Sequence, residues 1–275
     1  MSTRRTVVVT GGSSGIGLAT ARAFAAKGAH VAVMARDQAK LERAKAEIEA
    51  VRAAPGQRVV TASADLSDWR ACRAAAETLL AGGFSPDVLV NSAGVIVPGE
   101  FLTMSPEDFD RNLVHGFDSV VNPCRAFAPT MAKRRSGHIV NVSSVAGFLG
   151  IYGYTSYAAA KYAVMGFTEA LRFELRPEGV RVSVVCPPDT DTPALDYEKM
   201  LRPAETQRIA GSIAAIPPDR VAEAIVRGVA RGRYYIIPGA SSRLYFRLKG
   251  LAPEIFFAVV DRHVTKTRED RRSDR

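Results

Sequence analysis

Short β-branched runs alternate with stretches of helical periodicity along the first 190 residues, and one more apolar run follows near residue 235. These runs predict seven strands: Thr6–Thr10, Val31–Met34, Val59–Ala62, Val88–Val90, Ile139–Val142, Val180–Val185 and Tyr234–Ile237. Helices are predicted up to about Lys27, over Gln38–Arg52 and from about Asp68 to Leu80. Such alternation is typical of βαβ units in a parallel sheet. We therefore expect an α/β fold with a doubly wound parallel sheet in one domain, residues 1–240, in which residues 189–217 form a long insertion.

A different apolar pattern marks the end of the chain, residues 241–275, which we treat as a helical tail. Five apolar residues recur there at steps of three or four and could share one helical face: Leu244, Leu248, Leu251, Ile255 and Val259. Pro253 is expected to divide the tail into two helices. Two interpretations stay open. The helix pair docks on the domain's own core or on a partner subunit, or it lies in a membrane interface with basic residues near the headgroups: Arg243, Arg247, Lys249 and Arg262.

The distribution of charged residues along the chain indicates which kinds of binding partner to expect. The chain has 275 residues, of which 47% are hydrophobic and 24% charged, as is ordinary for a globular fold. Its net charge of +9 is uneven, since residues 231–275 hold eleven Lys/Arg against five Asp/Glu. No recognised binding module accompanies this charge, so we do not expect a nucleic-acid partner. Together with the apolar residues of the tail, the charge favours peripheral contact with a membrane surface.

The cysteines and the N-terminal residues indicate the cellular compartment in which the protein is expected. Cys72, Cys124 and Cys186 are scattered and lack metal-ligand spacing, which favours a reducing compartment and predicts no metal site. The start runs directly into a strand and leaves no room for a secretory signal. No stretch reaches the roughly 18 apolar residues of a spanning helix. We therefore expect a cytoplasmic protein, with peripheral contact at the cytoplasmic membrane face left open by the tail.

A glycine-rich loop, TGGSSGIG over residues 10–17, separates the first predicted strand from the first helix. Glycines permit a tight turn there and let backbone N–H groups approach a pyrophosphate at the helix N-terminus. Because the loop opens a βαβ unit, a dinucleotide is a better interpretation than a plain turn. The candidate contacts are Gly11, Ser13, Ser14, Gly15, Ile16 and Gly17.

The end of the second strand distinguishes the two nicotinamide dinucleotides. A carboxylate there holds the ribose 2′-hydroxyl of NAD, but this chain has Arg36, whose guanidinium suits the 2′-phosphate of NADP(H). The alternative is a surface arginine before a helix cap at Asp37. Later strand ends supply further candidate contacts, each of which could also be a simple turn: Asp65 and Leu66 for adenine, and Asn91, Ala93 and Gly94 where the backbone must approach the cofactor.

Three residues suggest acid–base chemistry. Tyr157 and Lys161 are four residues apart and so share one face of a predicted helix, while Ser144 closes the fifth strand. A phenol normally titrates near pH ~10, and a neighbouring ammonium with a positive nicotinamide ring should lower that pKa. Tyr157 could then protonate a carbonyl oxygen held by Ser144 while hydride reaches the carbon. Taken alone, the Tyr–Lys pair could equally be a solvated helix pair.

Together these motifs resemble the short-chain dehydrogenase/reductase family over nearly the whole chain. The matches, in family order, are TGGSSGIG (10–17), DL (65–66), NSAG (91–94), NVSS (141–144) and YAAAK (157–161). The resemblance implies a Rossmann-type fold, nicotinamide binding, catalytic roles for Ser144, Tyr157 and Lys161, and contact of Lys161 with the nicotinamide ribose. It also implies a homo-oligomer that pairs through helices near residues 105–134 and 156–176.

The segment CPPDTDTP, residues 186–193, is similar to one typical of the 3-ketodihydrosphingosine reductase branch of that family. The resemblance implies cofactor contacts at Pro187, Thr190 and Thr192, and NADPH-dependent reduction of a long-chain 3-keto sphingoid base, a lipid, under a substrate loop formed by residues 189–217. Two alternatives stay open. The substrate could be a 3-oxoacyl, steroid or other ketone, or the protein could bind a dinucleotide without catalysis.

The chain departs from the family at one position. Family members carry an asparagine on the helix before the fifth strand, where it assists a proton relay from the lysine. That position falls on Gly116 here, and Asn112 lies one helical turn earlier. A relay through a backbone carbonyl would tolerate glycine, whereas a relay through the side chain would be impaired.

Overall fold

The protein is described by a computed structural model over residues 4–203, 206–207, 215–258 and 260–262. Seven parallel strands form one sheet in the order β3-β2-β1-β4-β5-β6-β7. Their bounds are β1 Thr6–Thr10, β2 His30–Ala35, β3 Val59–Ser63, β4 Val88–Asn91, β5 Gly137–Val142, β6 Val180–Val185 and β7 Tyr235–Ile236. All seven predicted strands are confirmed, each within two residues at either end. The strand order reverses beside β1, which opens a crevice at the carboxyl ends of β1 and β4.

Helices cover both faces of the sheet. They are α1 Gly15–Ala25, α2 Gln38–Ala50, α3 Trp69–Ala81, α4 Pro106–Leu113, α5 Ser119–Lys133, α6 Thr155–Leu175, α7 Pro193–Leu201, α8 Pro218–Arg231 and α9 Ala240–Leu251. A π-helical stretch, Val114–Asp118, joins α4 to α5, and a 3₁₀ turn, Val145–Gly147, follows β5. Residues 253–258 and 260–262 are also helical. The prediction of a doubly wound α/β fold is therefore confirmed.

The core explains the β-branched runs. Val7 and Val9 of β1 join one buried cluster, with α1 and α8, while Val8 between them joins the cluster on the opposite face. All three side chains are fully buried. Because helices cover both faces, the strands are apolar throughout rather than alternating, as a parallel sheet requires.

Side-chain caps fix where several helices begin. The Asp37 carboxylate accepts a hydrogen bond from the Lys40 N–H at the start of α2, and Asp68 accepts one from the Arg70 N–H at 2.7 Å at the start of α3. Such caps satisfy backbone donors that have no partner inside the helix. Thr192 caps α7 in the same way. These caps place the first turns of α2 and α7 beside the crevice.

The C-terminal helix α9 packs on the domain through one face and exposes another. Tyr245 and Phe246 pack against a small apolar cluster, where the Phe246 and Phe148 ring centroids are 5.1 Å apart. Leu244, Leu248 and Leu251 remain 54%, 43% and 84% exposed. Helical structure breaks at Ala252 and resumes at Pro253, as predicted, and Val259 of the predicted stripe lies outside the described residues. Within the described part of the chain, no helix is long and apolar enough to cross a membrane.

Candidate active site

A cavity of about 400 Å³ follows the carboxyl ends of the central strands. It brings together the predicted catalytic residues Ser144, Tyr157 and Lys161. It is also lined by nearly all of the predicted cofactor contacts: Gly11, Ser13, Ser14, Gly15, Ile16, Gly17, Arg36, Asp65, Leu66, Ala93, Gly94, Pro187, Thr190 and Thr192. Residues scattered over 180 positions of sequence therefore meet in one crevice.

The glycine loop is packed too tightly for side chains. A Cβ on Gly11, which has φ +66°, would lie 2.6 Å from the Ala93 nitrogen, and one on Gly17 would lie 2.3 Å from the Gly11 oxygen. The loop thus presents bare backbone next to α1. Unlike α2 and α3, α1 has no side-chain hydrogen bond at its cap, Ser14, so its first-turn N–H groups remain available to an anion. These features fit a dinucleotide pyrophosphate.

The residues after β2 fit both interpretations of Arg36, as a contact for a 2′-phosphate and as a surface arginine before a helix cap. Arg36 is exposed and lines the crevice, while Asp37 caps α2. Lys40 also lines this end of the crevice, one turn into α2, and the sequence analysis missed it. Two cationic side chains therefore line this end of the crevice together with the Asp37 carboxylate, whose Oδ2 lies 4.0 Å from Lys40 Nζ.

Among the predicted cofactor contacts, Asn91 alone does not line the crevice with its side chain. Its side chain is fully buried beneath the crevice, where its Nδ2 donates to Asn141 Oδ1 at 2.9 Å and to Cys124 Sγ at 3.1 Å. Its neighbours Ser92, Ala93 and Gly94 line the crevice instead. Asn91 is the last residue of β4, and the alternation of side chains along a strand turns it into the sheet's own packing.

The catalytic candidates come from two neighbouring elements. Ser144 follows β5 and accepts a hydrogen bond from the Ala146 N–H, which fixes its position at the 3₁₀ turn. Tyr157 and Lys161 lie one turn apart on α6, and Lys161 Nζ is 5.6 Å from the Tyr157 ring centroid. The ammonium donates to the Val142 carbonyl oxygen at 3.2 Å. The Ser143 hydroxyl donates to the Lys161 carbonyl oxygen at 2.9 Å, which ties α6 to β5.

The electrostatics of the site differ from the sequence argument. Burial lowers the pKa of Lys161 to about 8. Burial raises the pKa of Tyr157 above its ordinary value, a hydrogen bond with Ser144 opposes the rise, and the carboxylates of Glu198 and Asp189 add to it. From the sequence, only the ammonium and the nicotinamide are expected to shift the phenol pKa, and both would lower it. The structure adds a desolvation cost and two nearby negative charges.

Those carboxylates line the cavity and belong to a largely buried hydrogen-bond network. Arg202 Nε donates to Glu198 Oε1 and its Nη2 donates to Asp189 Oδ2, both at 2.7 Å. The Tyr154 hydroxyl donates to the same Glu198 oxygen. Burial raises the pKa of Glu198. Two carboxylates and one guanidinium leave this network with one net negative charge beside Tyr157.

The position at which the chain departs from the family pattern, Gly116, is tightly packed in the structure. Gly116 is buried within the π-helical stretch, and a Cβ there would lie 2.9 Å from the Ala160 Cβ on α6. Asn112 is fully buried one turn earlier and accepts from the Val97 N–H at 2.9 Å. It donates to the Val97 oxygen and to Ser156 Oγ, both at 2.8 Å. Asn112 therefore fastens the loop after β4 to the start of α6.

Comparisons with known proteins agree on one family. A family model described as short chain dehydrogenase matches residues 5–200. A 3-ketodihydrosphingosine reductase from Bos taurus is 38% identical over 249 residues, which cover 90% of this chain and 75% of that protein. A short-chain dehydrogenase/reductase from Burkholderia phymatum, solved with NAD, is 27% identical with a TM-score of 0.80 and covers 92% of this chain and 95% of its own. A metagenomic short-chain oxidoreductase solved with NADP is 33% identical, with a TM-score of 0.70 over 87% of this chain and all of its own.

Proposed function

The chain belongs to the short-chain dehydrogenase family of oxidoreductases, which use a nicotinamide dinucleotide, and from this premise we propose that it reduces a ketone to a secondary alcohol with NADPH. One observation carries the proposal. Ser144, Tyr157 and Lys161 meet beside the bare backbone of the glycine loop, in a single cavity that holds a proton donor next to a dinucleotide site.

In the proposed mechanism, NADPH supplies hydride to the carbonyl carbon. Tyr157 donates its phenolic proton to the carbonyl oxygen, which the Ser144 hydroxyl holds by a hydrogen bond. A phenol is protonated at neutral pH, so Tyr157 can act as the acid. Burial raises its pKa and so adds to the cost of releasing the proton. The Lys161 ammonium, 5.6 Å from the phenol ring, then stabilises the phenolate that remains.

Tyr157→Phe tests this mechanism, because it removes the proton donor and little volume. Turnover should fall by roughly 10²–10⁴-fold, while the affinity for NADPH stays near that of the wild type. Tyr162→Phe is the matched control, since Tyr162 lies on the same helix but is 41% exposed. Turnover of Tyr157→Phe at the level of the control would refute the assignment.

NADPH is proposed over NADH because of the charge after β2. Arg36 and Lys40 both line the end of the crevice where the adenosine ribose would lie. A 2′-phosphate would pair with these cations, whereas the 2′-hydroxyl of NADH would leave the Arg36 guanidinium without a partner of opposite charge.

For the substrate, we propose a 3-keto sphingoid base, the compound in the name of the bovine relative. Such a base carries an ammonium on the carbon next to its ketone. The network of Asp189, Glu198 and Arg202 lies beside Tyr157 with one net negative charge, and the Asp189 side chain remains 34% exposed on the cavity side. We place the ammonium at Asp189. The apolar side chains of Ile151 and Leu195 line the same cavity and suit the start of the hydrocarbon chain.

A substitution that removes the Asp189 charge but keeps the size of the side chain separates this substrate from other ketones. Asp189→Asn should reduce kcat/KM for the amino ketone at least tenfold and leave kcat/KM for a ketone of equal length without the amino group nearly unchanged. Asp196→Asn is the control, because Asp196 is exposed on α7. Circular dichroism must show both variants folded. An equal effect of Asp189→Asn on both ketones would refute ammonium recognition and leave the reductase assignment standing.

The remaining proposals concern location and assembly. We place the protein in the cytoplasm, at its membrane face, with residues 241–275 as a C-terminal tail whose exposed leucines on α9 contact lipid. The described cysteines are all buried and free, which suits that reducing compartment. Phe173, at 61% exposure on α6, supports pairing of two copies through this helix.

A further inference from the structure

A second concavity, of about 750 Å³, lies between α8, β7 and α9 at the edge of the sheet. Its lining contains six arginines: Arg220, Arg227, Arg231, Arg233, Arg243 and Arg247. Among the described lining residues there is no aspartate or glutamate. We call this feature the arginine concavity. It is separate from the catalytic cavity, and no step of the proposed reaction uses it.

Five of the six arginines reach the concavity from two helices, and Arg233 lies between α8 and β7. Those on α8 lie at positions 220, 227 and 231, and those on α9 at 243 and 247, so each set follows one helical face. The rings of Tyr235 and Phe246 also line the concavity, with centroids 4.9 Å apart. Two independent helix faces that turn like charges toward one space repel each other across it. An anion in that space would remove the repulsion.

Little within the described part of the chain offsets this charge. Arg227 pairs with Glu223 at 3.2 Å on the exposed surface of α8. The Arg243 Nη1 donates to the Ile237 carbonyl oxygen at 3.0 Å, a contact that orients the guanidinium and leaves its charge in place. All six arginines are exposed, so they could close on a ligand at little desolvation cost. Guanidinium groups recognise phosphate through paired N–H donors, which makes phosphate the ligand group of choice.

The exposed leucines of α9 indicate which phosphate. Arg243 and Arg247 face the concavity, and Leu244 and Leu248, the next residue in each case, are 54% and 43% exposed. The helix therefore carries a basic stripe beside an apolar stripe. An anionic phospholipid offers a phosphate directly beside acyl chains and matches both stripes, whereas a nucleic acid would match only the basic one.

The arginine concavity also adjoins the substrate side of the catalytic cavity. Ile216, which lines the concavity, donates its N–H to the Asp189 backbone carbonyl oxygen at 3.0 Å, and its own carbonyl oxygen accepts from the Asp191 N–H at 2.9 Å. Asp189, the partner of Ile216 in this backbone pairing, lines the catalytic cavity. A headgroup bound in the concavity would hold the substrate loop against the lipid surface from which a hydrophobic ketone must enter.

We propose that the arginine concavity is a binding site for the phosphate headgroup of an anionic phospholipid, and that it docks α9 on the membrane. The inference rests on the membrane contact proposed above and adds the lipid class and the residues that recognise it. It does not depend on the identity of the ketone.

Cosedimentation with vesicles tests the site. The wild-type protein should bind phosphatidylcholine vesicles that contain phosphatidylglycerol far more tightly than pure phosphatidylcholine vesicles. Arg231→Gln combined with Arg247→Gln should weaken that binding at least tenfold. The control, Arg43→Gln combined with Arg70→Gln, removes the same net charge from exposed positions on α2 and the start of α3 and should bind like the wild type. All proteins should turn over a water-soluble ketone equally.

Other results would overturn the proposal in distinguishable ways. Equal losses in both double variants would show a general effect of net charge and no site, while the membrane contact itself would stand. Failure of the wild type to bind either vesicle would remove the site and the membrane contact together. Tighter binding of a duplex oligonucleotide than of the anionic vesicles, or saturation of the site by millimolar inorganic phosphate or glycerol phosphate without vesicle binding, would assign the arginines to a different ligand.

Discussion

The buried charge of Lys161 is expected to lower the free energy of unfolding of the protein. The residue is 5% exposed, and burial lowers its pKa from 10.5 to about 8. A change of that size corresponds to roughly 3 kcal/mol of unfavourable free energy in the folded protein at pH 7. Lys161→Met keeps the length of the side chain and removes the charge. It also removes the hydrogen bond to the Val142 oxygen. Loss of that bond should destabilise the variant by about 1 kcal/mol and so offset part of the stability gained by removing the charge.

The dinucleotide-free Lys161→Met variant should therefore be more stable than the wild type by about 2 kcal/mol at pH 7, although it should be inactive. The sign of the pH dependence follows from the lowered pKa. Below pH 8 the lysine is charged in the folded and the unfolded chain, so the full cost is present. Between pH 8 and 10.5 the folded protein loses the proton first, and the wild type gains stability relative to the variant.

Urea denaturation at several pH values between 7 and 10.5 measures both effects. The single tryptophan, Trp69, at the start of α3 provides the fluorescence signal, with circular dichroism as a second probe. Lys133→Met, at an exposed position near the end of α5, is the matched control and should show no such pH-dependent difference. A Lys161→Met variant that is less stable than the wild type at pH 7, with a difference that does not vary with pH, would refute the burial argument.

Two further substitutions test the cofactor and the position that departs from the family. Arg36→Asp should shift the ratio of NADPH to NADH affinity toward NADH at least tenfold, measured by titration of both dinucleotides, and an unchanged ratio would make Arg36 a surface residue only. Gly116→Asn should destabilise the protein by about 1–3 kcal/mol in urea, because its Cβ would lie 2.9 Å from the Ala160 Cβ. Ala160→Gly in the same chain should recover part of that loss, and strict additivity of the two substitutions would contradict the steric explanation.

The sheet and the central chemistry could be predicted because they depend on local patterns. Runs such as TVVVT and VRVSVV correspond to the strands Thr6–Thr10 and Val180–Val185 without change. Tyr157 and Lys161 share a helix face by spacing alone. The order of short motifs along a βαβ series predicts that they meet, since the carboxyl ends of parallel strands lie at one edge.

Contacts between distant elements could not be predicted. The Tyr154–Glu198–Arg202 network joins α6 to the end of α7, 44 residues apart between Tyr154 and Glu198, and no local pattern indicates that pairing. Asn91 belongs to a short motif that indicates cofactor binding, yet its side chain points into packing that only the assembled sheet defines. From its sequence the tail could dock on the core or lie in a membrane interface, whereas α9 packs on the core with Phe246 and also exposes Leu244. A helical periodicity gives the faces of a helix and does not say what each one meets.

The central claim is that this protein reduces a 3-keto sphingoid base with NADPH. The most direct measurement is NADPH consumption by the wild-type protein with a series of 3-keto sphingoid bases of increasing chain length, beside a short water-soluble ketone. Each buried methylene contributes roughly 0.8 kcal/mol, so kcat/KM should rise several-fold per methylene until the protein can bury no more of the chain, and then level off. A short ketone reduced as efficiently as the long-chain base would contradict the substrate assignment, and no NADPH consumption with any ketone would contradict the reductase itself.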